Sequence, residues 1–237
     1  MKIFKNALRT ELRLFEKESG IKLKNEVVRN ILGNSDNDII FRRKEKDPEI
    51  LLWEFMNHVE HFFNAAVRDT NGVIYTPKNV ADRIVGYIDT RLLNESSKVI
   101  DPAVGSGALL IATLSEINKK VPDLDLRSYV QENLYGLDVL PENVIATKCA
   151  LSIFLELHGV YANRLNVVCT DSLKIPEIDS FHFYKSKFDI VIGNPPYVRA
   201  KKMSEEYRFF LREKWGEVVV GMPDLYIPFF CIRKMVI

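Results

Sequence analysis

The stretch KVIDPAVGSGALLIATLSEI, residues 98–117, decides the fold class. It opens with a short run containing the β-branched residues Val99 and Ile100, which leads into Asp101. A glycine-containing loop follows, and residues 108–117 are then predicted to form a helix. A strand that passes through a short loop into a helix is the repeating unit of parallel sheets. We therefore expect an α/β fold.

The same pattern recurs along the chain from residue 71 onward. Further apolar runs each lead shortly into a polar residue: 133–137 into Asp138, 165–168 into Asp171, and 188–192 into Asn194. A second helix is predicted over residues 144–157, with Pro141 at a position that a first helical turn tolerates. In open α/β sheets, ligands bind at the carboxyl ends of the strands. We therefore expect these polar residues to line one continuous site.

The first 70 residues have a different pattern. Their apolar residues recur at helical spacing in two groups, Leu8, Leu12 and Phe15, and then Ile50, Leu51, Phe55, Val59 and Phe62. Residues 33–38 form a polar loop between these groups. The sequence therefore predicts a small helical module over residues 1–70, followed by an α/β domain over residues 71–237.

The composition limits the possible environments. Lys plus Arg number 33 against 32 Asp plus Glu, so the net charge of +1 does not by itself indicate a polyanionic partner. Cys149, Cys169 and Cys231 lie far apart, which favours a reducing compartment over disulfides or zinc, and we expect all three in or near the core. His58 and His61 lack a nearby third metal ligand. Without a signal peptide or an apolar run of membrane-spanning length, we expect a cytoplasmic protein with no membrane partner.

The loop after the first strand has the composition of a ligand-binding turn. Gly105 and Gly107 allow a tight turn and a close approach of the backbone to a ligand. The loop then delivers the N-terminal amides of a helix, which favour a carboxylate. A glycine turn alone is weak evidence, since it can equally be a structural connection between a strand and a helix.

Two aspartates that end later strands are candidate nucleoside ligands. The carboxylate of Asp138 has two oxygens and can accept hydrogen bonds from both hydroxyls of a ribose. Asp171 can address an adenine amino group through its carboxylate or adjoining backbone. Each residue could instead serve a structural role, and a helix cap is the alternative for Asp138.

The tetrapeptide Asn194-Pro195-Pro196-Tyr197 suits a planar heterocycle with an exocyclic amine. The prolines fix the backbone and leave the Pro195 carbonyl as an acceptor. Asn194 adds a side-chain carbonyl, and the ring of Tyr197 provides a stacking face. Stacking of a base on an aromatic ring contributes about 1–3 kcal/mol, comparable to the cost of removing a base from a duplex.

Together, these motifs resemble those of the adenine-specific amino-methyltransferases of bacterial restriction-modification systems. The segment GVIYTP at residues 72–77 resembles the family's N-terminal cofactor motif, and residues 101–107 resemble its DPAxGSG loop. Residues 194–197 match its NPPY box, and PDLYIPFF at residues 223–230 resembles the DLYxxFF helix that follows. The motifs occur in the family's order over roughly residues 70–230.

The resemblance implies a Rossmann-like fold that binds S-adenosylmethionine and methylates the amino group of a flipped adenine in double-stranded DNA. Asn194, Pro195, Pro196 and Tyr197 are the implied catalytic residues. The implied cofactor-binding residues are Tyr75, Thr76 and Pro77 at the methionine end, Asp101, Pro102, Ala103, Gly105 and Gly107 in the loop, Asp138 at the ribose, Asp171 near the adenine, and Asp224 and Tyr226 along the pocket.

The resemblance also bears on how much of a methyltransferase is present. The helical module resembles, more loosely, the one preceding the catalytic domain of type I modification subunits and fused type II enzymes. Because such enzymes continue with further strands and a target-recognition domain, we expect a catalytic domain that is incomplete at its C-terminus. A C-terminal or specificity subunit is then an expected partner. The alternatives are a non-catalytic cofactor-binding or assembly fragment, or a methyltransferase acting on RNA adenine or release-factor glutamine.

Overall fold

The computed structural model describes residues 1–33, 47–67, 76–177, 187–216 and 224–236. The strands in these ranges are β1 (Val99–Asp101), β2 (Leu134–Asp138), β3 (Asn166–Cys169) and β4 (Ile190–Val191). The helices are α1 (Lys2–Ser19), α2 (Glu26–Leu32), α3 (Pro48–Val67), α4 (Lys78–Val85), α5 (Ala108–Lys120), α6 (Leu126–Glu132), α7 (Pro141–Leu157), α8 (Glu205–Trp215) and α9 (Tyr226–Val236). Short 3-10 turns cover Thr90–Leu92, Ser172–Glu177 and Ala200–Lys202.

The strands form one parallel sheet in the order β3-β2-β1-β4. Val99 in β1 lies opposite Leu134 in β2 and Ile190 in β4. The chain therefore builds the sheet outward from β1 to β3, and then returns to place β4 on the other side of β1. Ligands in open α/β sheets bind where the strand order reverses in this way. The predicted α/β class is confirmed, and the parallel sheet fits a Rossmann-like fold.

The two helices expected from the apolar pattern are present with longer bounds than the sequence indicated, and α9 contains most of the helix expected at residues 223–230. α5 begins at Ala108 and continues to Lys120, and α7 begins at Pro141, the N-terminal position that proline tolerates. α4 and α6 were not foreseen. Each has only seven or eight residues, so the apolar pattern is too short to distinguish a helix from a turn.

The N-terminal helices pack on one face of the sheet. α1 contacts α3, and α3 in turn contacts α7, so that one hydrophobic core runs from these helices to β1 and β2. Leu8, Leu12 and Phe15 are buried in it as expected. Ile50 is 53% exposed, because the buried side of α3 begins with the next residue, Leu51. The predicted polar loop lies almost entirely outside the described residues.

A second hydrophobic cluster covers the opposite face. Ile100 belongs to it although its neighbour Val99 belongs to the first, as expected for alternating side chains of a strand. α8 and α9 close this face with Leu211 and Ile232. The sheet is therefore buried between two layers of helix, and its carboxyl edge is left to form a site.

The cysteines are free, and their positions differ from the prediction in one case. Cys149 and Cys231 are buried, but Cys169 is exposed. Cys169 is the last residue of β3, which is one of the two edge strands of the described sheet, and it belongs to neither hydrophobic cluster. In the described part of the chain, no helix combines the length and the apolar character needed to cross a membrane.

Candidate functional site

A cavity of about 330 Å³ opens at the carboxyl edge of the sheet. Its size is within the range usual for small-molecule sites. Asp171, Asp138, Asp101 and Asn194 all line it. Asp138 and Asp101 end β2 and β1, while Asp171 and Asn194 come shortly after β3 and β4, so their order across the cavity is the order of the strands. Three interstrand spacings of about 4.8 Å give a row of polar groups roughly 14 Å long.

The glycine loop between β1 and α5 is tied to the neighbouring structure. The amide of Gly105 donates to Oδ2 of Asp138 at 2.9 Å, and its carbonyl accepts from the hydroxyl of Thr147 at 2.8 Å. Gly107 has φ of 95°, and a Cβ there would lie 3.0 Å from Cγ2 of Thr147. Glycine is therefore required at Gly107 both by the backbone conformation and by the close approach of α7.

Asp101 is buried at the centre of the cavity wall, with only 1% of its surface exposed. Its Oδ1 accepts a hydrogen bond from the amide of Ala103 at 2.9 Å. A Cβ on Gly193 would lie 3.0 Å from the same oxygen, so the loops after β1 and β4 are in close contact. Burial and, to a smaller extent, the nearby Asp138 together raise the pKa of Asp101 to about 8, although the hydrogen bond from Ala103 lowers it. A positively charged ligand group would favour its ionised form.

Asp138 organises the middle of the site. Its Oδ1 accepts from the amide of Leu140 at 2.9 Å, and its Oδ2 accepts from Gly105 and from the side-chain nitrogen of Asn143 at 3.1 Å. Burial raises the pKa of Asp138 despite these bonds. Asn143 is only 2% exposed, and its Oδ1 has no hydrogen-bond partner among the described residues. This buried acceptor lies on the cavity wall, where a ligand donor can satisfy it.

Asp171 is held by α8 and by the turn that follows β3. Its Oδ1 accepts from the amide of Leu173 at 3.0 Å, and its Oδ2 accepts from the hydroxyl of Tyr207 at 2.9 Å. Burial and the adjacent carboxylate raise the pKa of Tyr207, which keeps the hydroxyl protonated as a donor. The hydroxyl of Ser172 donates to the carbonyl of Pro102, which joins this end of the cavity to the glycine loop.

Asn194 is brought together with a residue from far earlier in the chain. Its side-chain nitrogen donates to the hydroxyl of Thr76 at 3.3 Å, and both residues line the cavity. Pro77, which follows Thr76 in the chain, is the N-cap of α4. The motif at residues 72–77, before the sheet, and the motif at residues 194–197, after β4, therefore meet in one place.

An aromatic cluster lies beside the cavity. Tyr197 is 50% exposed, and its ring centroid is 5.7 Å from that of Tyr226. Tyr226 in turn meets the exposed Phe230 edge-on, with a centroid separation of 6.1 Å. The amide of Leu225 donates to the carbonyl of Val198 at 2.9 Å, which joins the start of α9 to the segment after Tyr197. These exposed rings can offer a planar partner a stacking surface.

The structure brings most of the predicted residues together. Those that line the cavity are Thr76, Asp101, Pro102, Ala103, Gly105, Asp138, Asp171, Asn194 and Pro196. Among the described residues, the wall does not include Pro77, Gly107, Pro195, Tyr197, Asp224 or Tyr226. Leu225 and Phe229 line it instead, so α9 contributes different side chains from those expected. Tyr75 lies outside the described residues.

Several polar residues of the wall were not foreseen. They are Glu60, Ser106, Asn143, Lys202 and Tyr207. Ser106 and Asn143 had a detectable signal, since one lies inside the glycine loop and the other lies in the first turn of α7, five residues after Asp138. Glu60 and Tyr207 had none, because each lies on a helix that carries none of the motifs and reaches the cavity only through tertiary packing.

Comparisons with known proteins agree on one family. Residues 54–221 match the model of the N-6 DNA methylase family. The type II methyltransferase M.BstVI of Geobacillus stearothermophilus is 28% identical over 173 residues, which cover 67% of this chain and 30% of that protein. The methylase subunit of the type I restriction enzyme MjaVII of Methanocaldococcus jannaschii is 31% identical over 132 residues, which cover 53% of this chain and 18% of that protein. The chain thus spans less than a third of either relative.

Solved structures share the fold at low sequence identity. A DrdV-DNA complex has a TM-score of 0.63 at 16% identity and covers 97% of this chain and 28% of that one. The ATP-dependent Type ISP restriction-modification enzyme LlaBIII bound to DNA has a TM-score of 0.64 at 16% identity, and the match covers 97% of this chain and 20% of that one. These similarities support the fold of the described residues.

Proposed function

The chain belongs to the N-6 DNA methylase family, and from that premise we propose that it forms the cofactor and target-base site of a DNA adenine methyltransferase that uses S-adenosylmethionine. The observation that carries the proposal is the row of polar side chains in one cavity. These side chains lie at the carboxyl ends of four adjacent strands. Their order, Asp171, Asp138, Asp101 and Asn194, is the order in which a nucleoside, an amino-acid end and a second base would be bound.

The residues of the cavity fit this cofactor. Asn143 presents a buried oxygen without a partner among the described residues, next to the carboxylate of Asp138. Two acceptors side by side suit the two hydroxyl donors of a ribose. Asp171 would then lie near the adenine, and Asp101 near the methionine end. Tyr75, Thr76 and Pro77 remain predicted ligands of that end, of which Thr76 lines the cavity.

The target base would lie at the β4 end. The bound cofactor would supply a methyl group activated by its sulfonium. Tyr197, half exposed beside Tyr226, would stack on an adenine that has left the duplex. The adenine amine would donate to the side-chain oxygen of Asn194 and to the carbonyl of Pro195.

The contact with Thr76 orients the amide of Asn194 for this task. Because the side-chain nitrogen donates to Thr76, the other branch of the amide carries the acceptor oxygen. Hydrogen bonds from the amine to Asn194 and to the Pro195 carbonyl would turn the nitrogen lone pair toward the methyl group, and the amine would release its proton to solvent late in the transfer. A strong general base is not required, since the amine becomes more acidic as it is alkylated and positioning supplies much of the rate.

The natural setting would be a restriction-modification system. The relatives named above are a type II methyltransferase and the methylase subunit of a type I restriction enzyme. Double-stranded DNA is therefore the proposed substrate, and a C-terminal or specificity subunit the proposed partner. The exposed aromatic cluster favours a planar base over the amide of a glutamine, which is the substrate in the alternative reading.

Methyl transfer to DNA tests the proposal. The wild-type chain is combined with a candidate C-terminal partner and labelled S-adenosylmethionine, and is supplied in parallel with DNA of mixed sequence, with RNA or with a glutamine-containing peptide. N6-methyladenine is expected in the DNA and is detected by mass spectrometry. Asn194→Ala should lower the rate by at least about 100-fold, as loss of one transition-state hydrogen-bond partner can, while cofactor binding is kept. Wild-type turnover by Asn194→Ala would refute the mechanism, and methylation only of RNA or of a glutamine amide would refute the substrate.

A further inference from the structure

Glu60 is a buried carboxylate that the chemistry described so far does not use. It lies on α3, more than 40 residues before the glycine loop, and is only 5% exposed. It lines the cavity and accepts a hydrogen bond from the hydroxyl of Ser106. Burial raises the pKa of Glu60 to about 7, since the single hydrogen bond only partly offsets the loss of solvent.

The other buried glutamates of the described chain bind backbone amides, and Glu60 does not. Glu156 accepts from the amides of Lys24 and Asn25, at 2.7 and 2.6 Å. Glu16 accepts from the amide of Leu23 at 2.8 Å and pairs with Arg29. Both tie backbone segments together. Across the described ranges, neither a backbone amide nor a cation is bound to Glu60.

The position of Glu60 along the cavity indicates what it faces. Ser106 belongs to the loop after β1, so the carboxylate lies at the β1 place in the strand order, between Asp138 and Asn194. The charged and titratable groups that share the wall are Asp101, Asp138, Asp171, Lys202 and Tyr207. Asp101, also at the β1 place, is buried as well. This part of the cavity therefore holds two carboxyl groups suited to a cationic ligand group.

We propose that Glu60 binds the α-ammonium group at the methionine end of the cofactor. The inference rests on the proposed function, because it takes S-adenosylmethionine as the ligand. A charged hydrogen bond to the ammonium would compensate for the buried carboxylate, while Ser106 holds the carboxylate in place. α3 would thereby contribute directly to the cofactor site.

Titration with two ligands tests this assignment. S-adenosylmethionine carries the ammonium, whereas 5′-methylthioadenosine keeps the nucleoside but lacks the whole amino-acid end. Glu60→Gln keeps an acceptor for Ser106 and removes the charge, and Glu60→Ala removes both. Glu49→Gln is the matched control, since Glu49 is an exposed residue of the same helix. Dissociation constants are measured by calorimetry for the wild type and all three variants.

The expected result is selective. Glu60→Gln and Glu60→Ala should raise the dissociation constant of S-adenosylmethionine by about 10- to 100-fold, which corresponds to one lost charged hydrogen bond. The dissociation constant of 5′-methylthioadenosine should change by less than about 2-fold, as is usual for a substitution that does not contact the ligand. Glu49→Gln should change the affinity for neither ligand. Unchanged S-adenosylmethionine affinity, or equal losses for both ligands, would overturn the assignment alone. A folded wild-type chain that does not bind S-adenosylmethionine would instead overturn the proposed function.

Discussion

Among single residues, the buried carboxyl groups of the cavity have a cost for stability. Glu60, Asp101 and Asp138 are all removed from solvent, and burial raises the pKa of each. An active site often carries such destabilising groups because the ligand, and not the fold, compensates for them. The proposed cofactor carries two positive charges near its methionine end, which matches this arrangement.

The pKa of Glu60 predicts how stability depends on pH. The folded chain holds this proton more tightly than the unfolded chain, with a pKa of about 7 against 4.5. Its stabilising contribution is therefore full below pH 4.5 and is lost as the pH rises through 7. At pH 8, Glu60→Gln should raise the free energy of unfolding of the ligand-free chain by up to about 3 kcal/mol.

Urea denaturation at two pH values measures this effect. At pH 5 the wild type and Glu60→Gln should differ little, because Glu60 is then protonated in the folded state. The difference between the two proteins removes the contribution of Asp101, which titrates in both. An equal difference in unfolding free energy at pH 5 and pH 8 would contradict the pKa assigned to Glu60.

Among the elements, β1, the glycine loop and α5 could be predicted from sequence because local pattern and turn chemistry agree there. Val99 and Ile100 favour a strand, and Gly107 begins the helix with a φ that other residues rarely adopt. The sequence could not tell that Leu51 is buried and Ile50 is exposed, because helical spacing alone does not distinguish adjacent apolar residues. Cys169 was assigned wrongly because burial depends on where β3 lies in the sheet.

Gly107→Ala tests why glycine is needed at the start of α5. The variant should lower the free energy of unfolding by about 1–3 kcal/mol, from a strained φ and from the 3.0 Å approach to Cγ2 of Thr147. Adding Thr147→Ser removes that methyl group and keeps the hydroxyl that donates to Gly105. Chemical denaturation of the single and double variants should show partial recovery. If the double variant recovered the full wild-type stability, the backbone conformation at Gly107 would not contribute to the loss. If it recovered none, the contact with Thr147 would not contribute.

At the scale of the whole molecule, the N-terminal helices and the sheet are joined by buried polar contacts as well as by a shared core. Glu60 reaches the glycine loop from α3, and Glu156 reaches back from α7 to Asn25. The division at residue 70 into a helical module and a methyltransferase domain remains a prediction. The motifs indicated the polar residues at the strand ends and the box at residues 194–197. Glu60 and Tyr207 required the tertiary structure, since nothing local marks their side chains as part of the cavity.

The central claim is that the cavity at the carboxyl edge binds S-adenosylmethionine through Asp138. Calorimetric titration of the purified chain with the cofactor tests it most directly, with Asp138→Ala and the shape-preserving Asp138→Asn as variants. Asp82→Ala is the control, because Asp82 is exposed on α4 and pairs only with Lys78 among the contacts that the structure describes.

We predict saturable binding by the wild type and by Asp82→Ala, and a loss of about 10-fold or more in both Asp138 variants, as expected for removing a hydrogen-bonded carboxylate from a ribose. Thermal unfolding establishes that each protein is folded before titration. No binding by the folded wild type, or full affinity in folded Asp138 variants, would contradict the account.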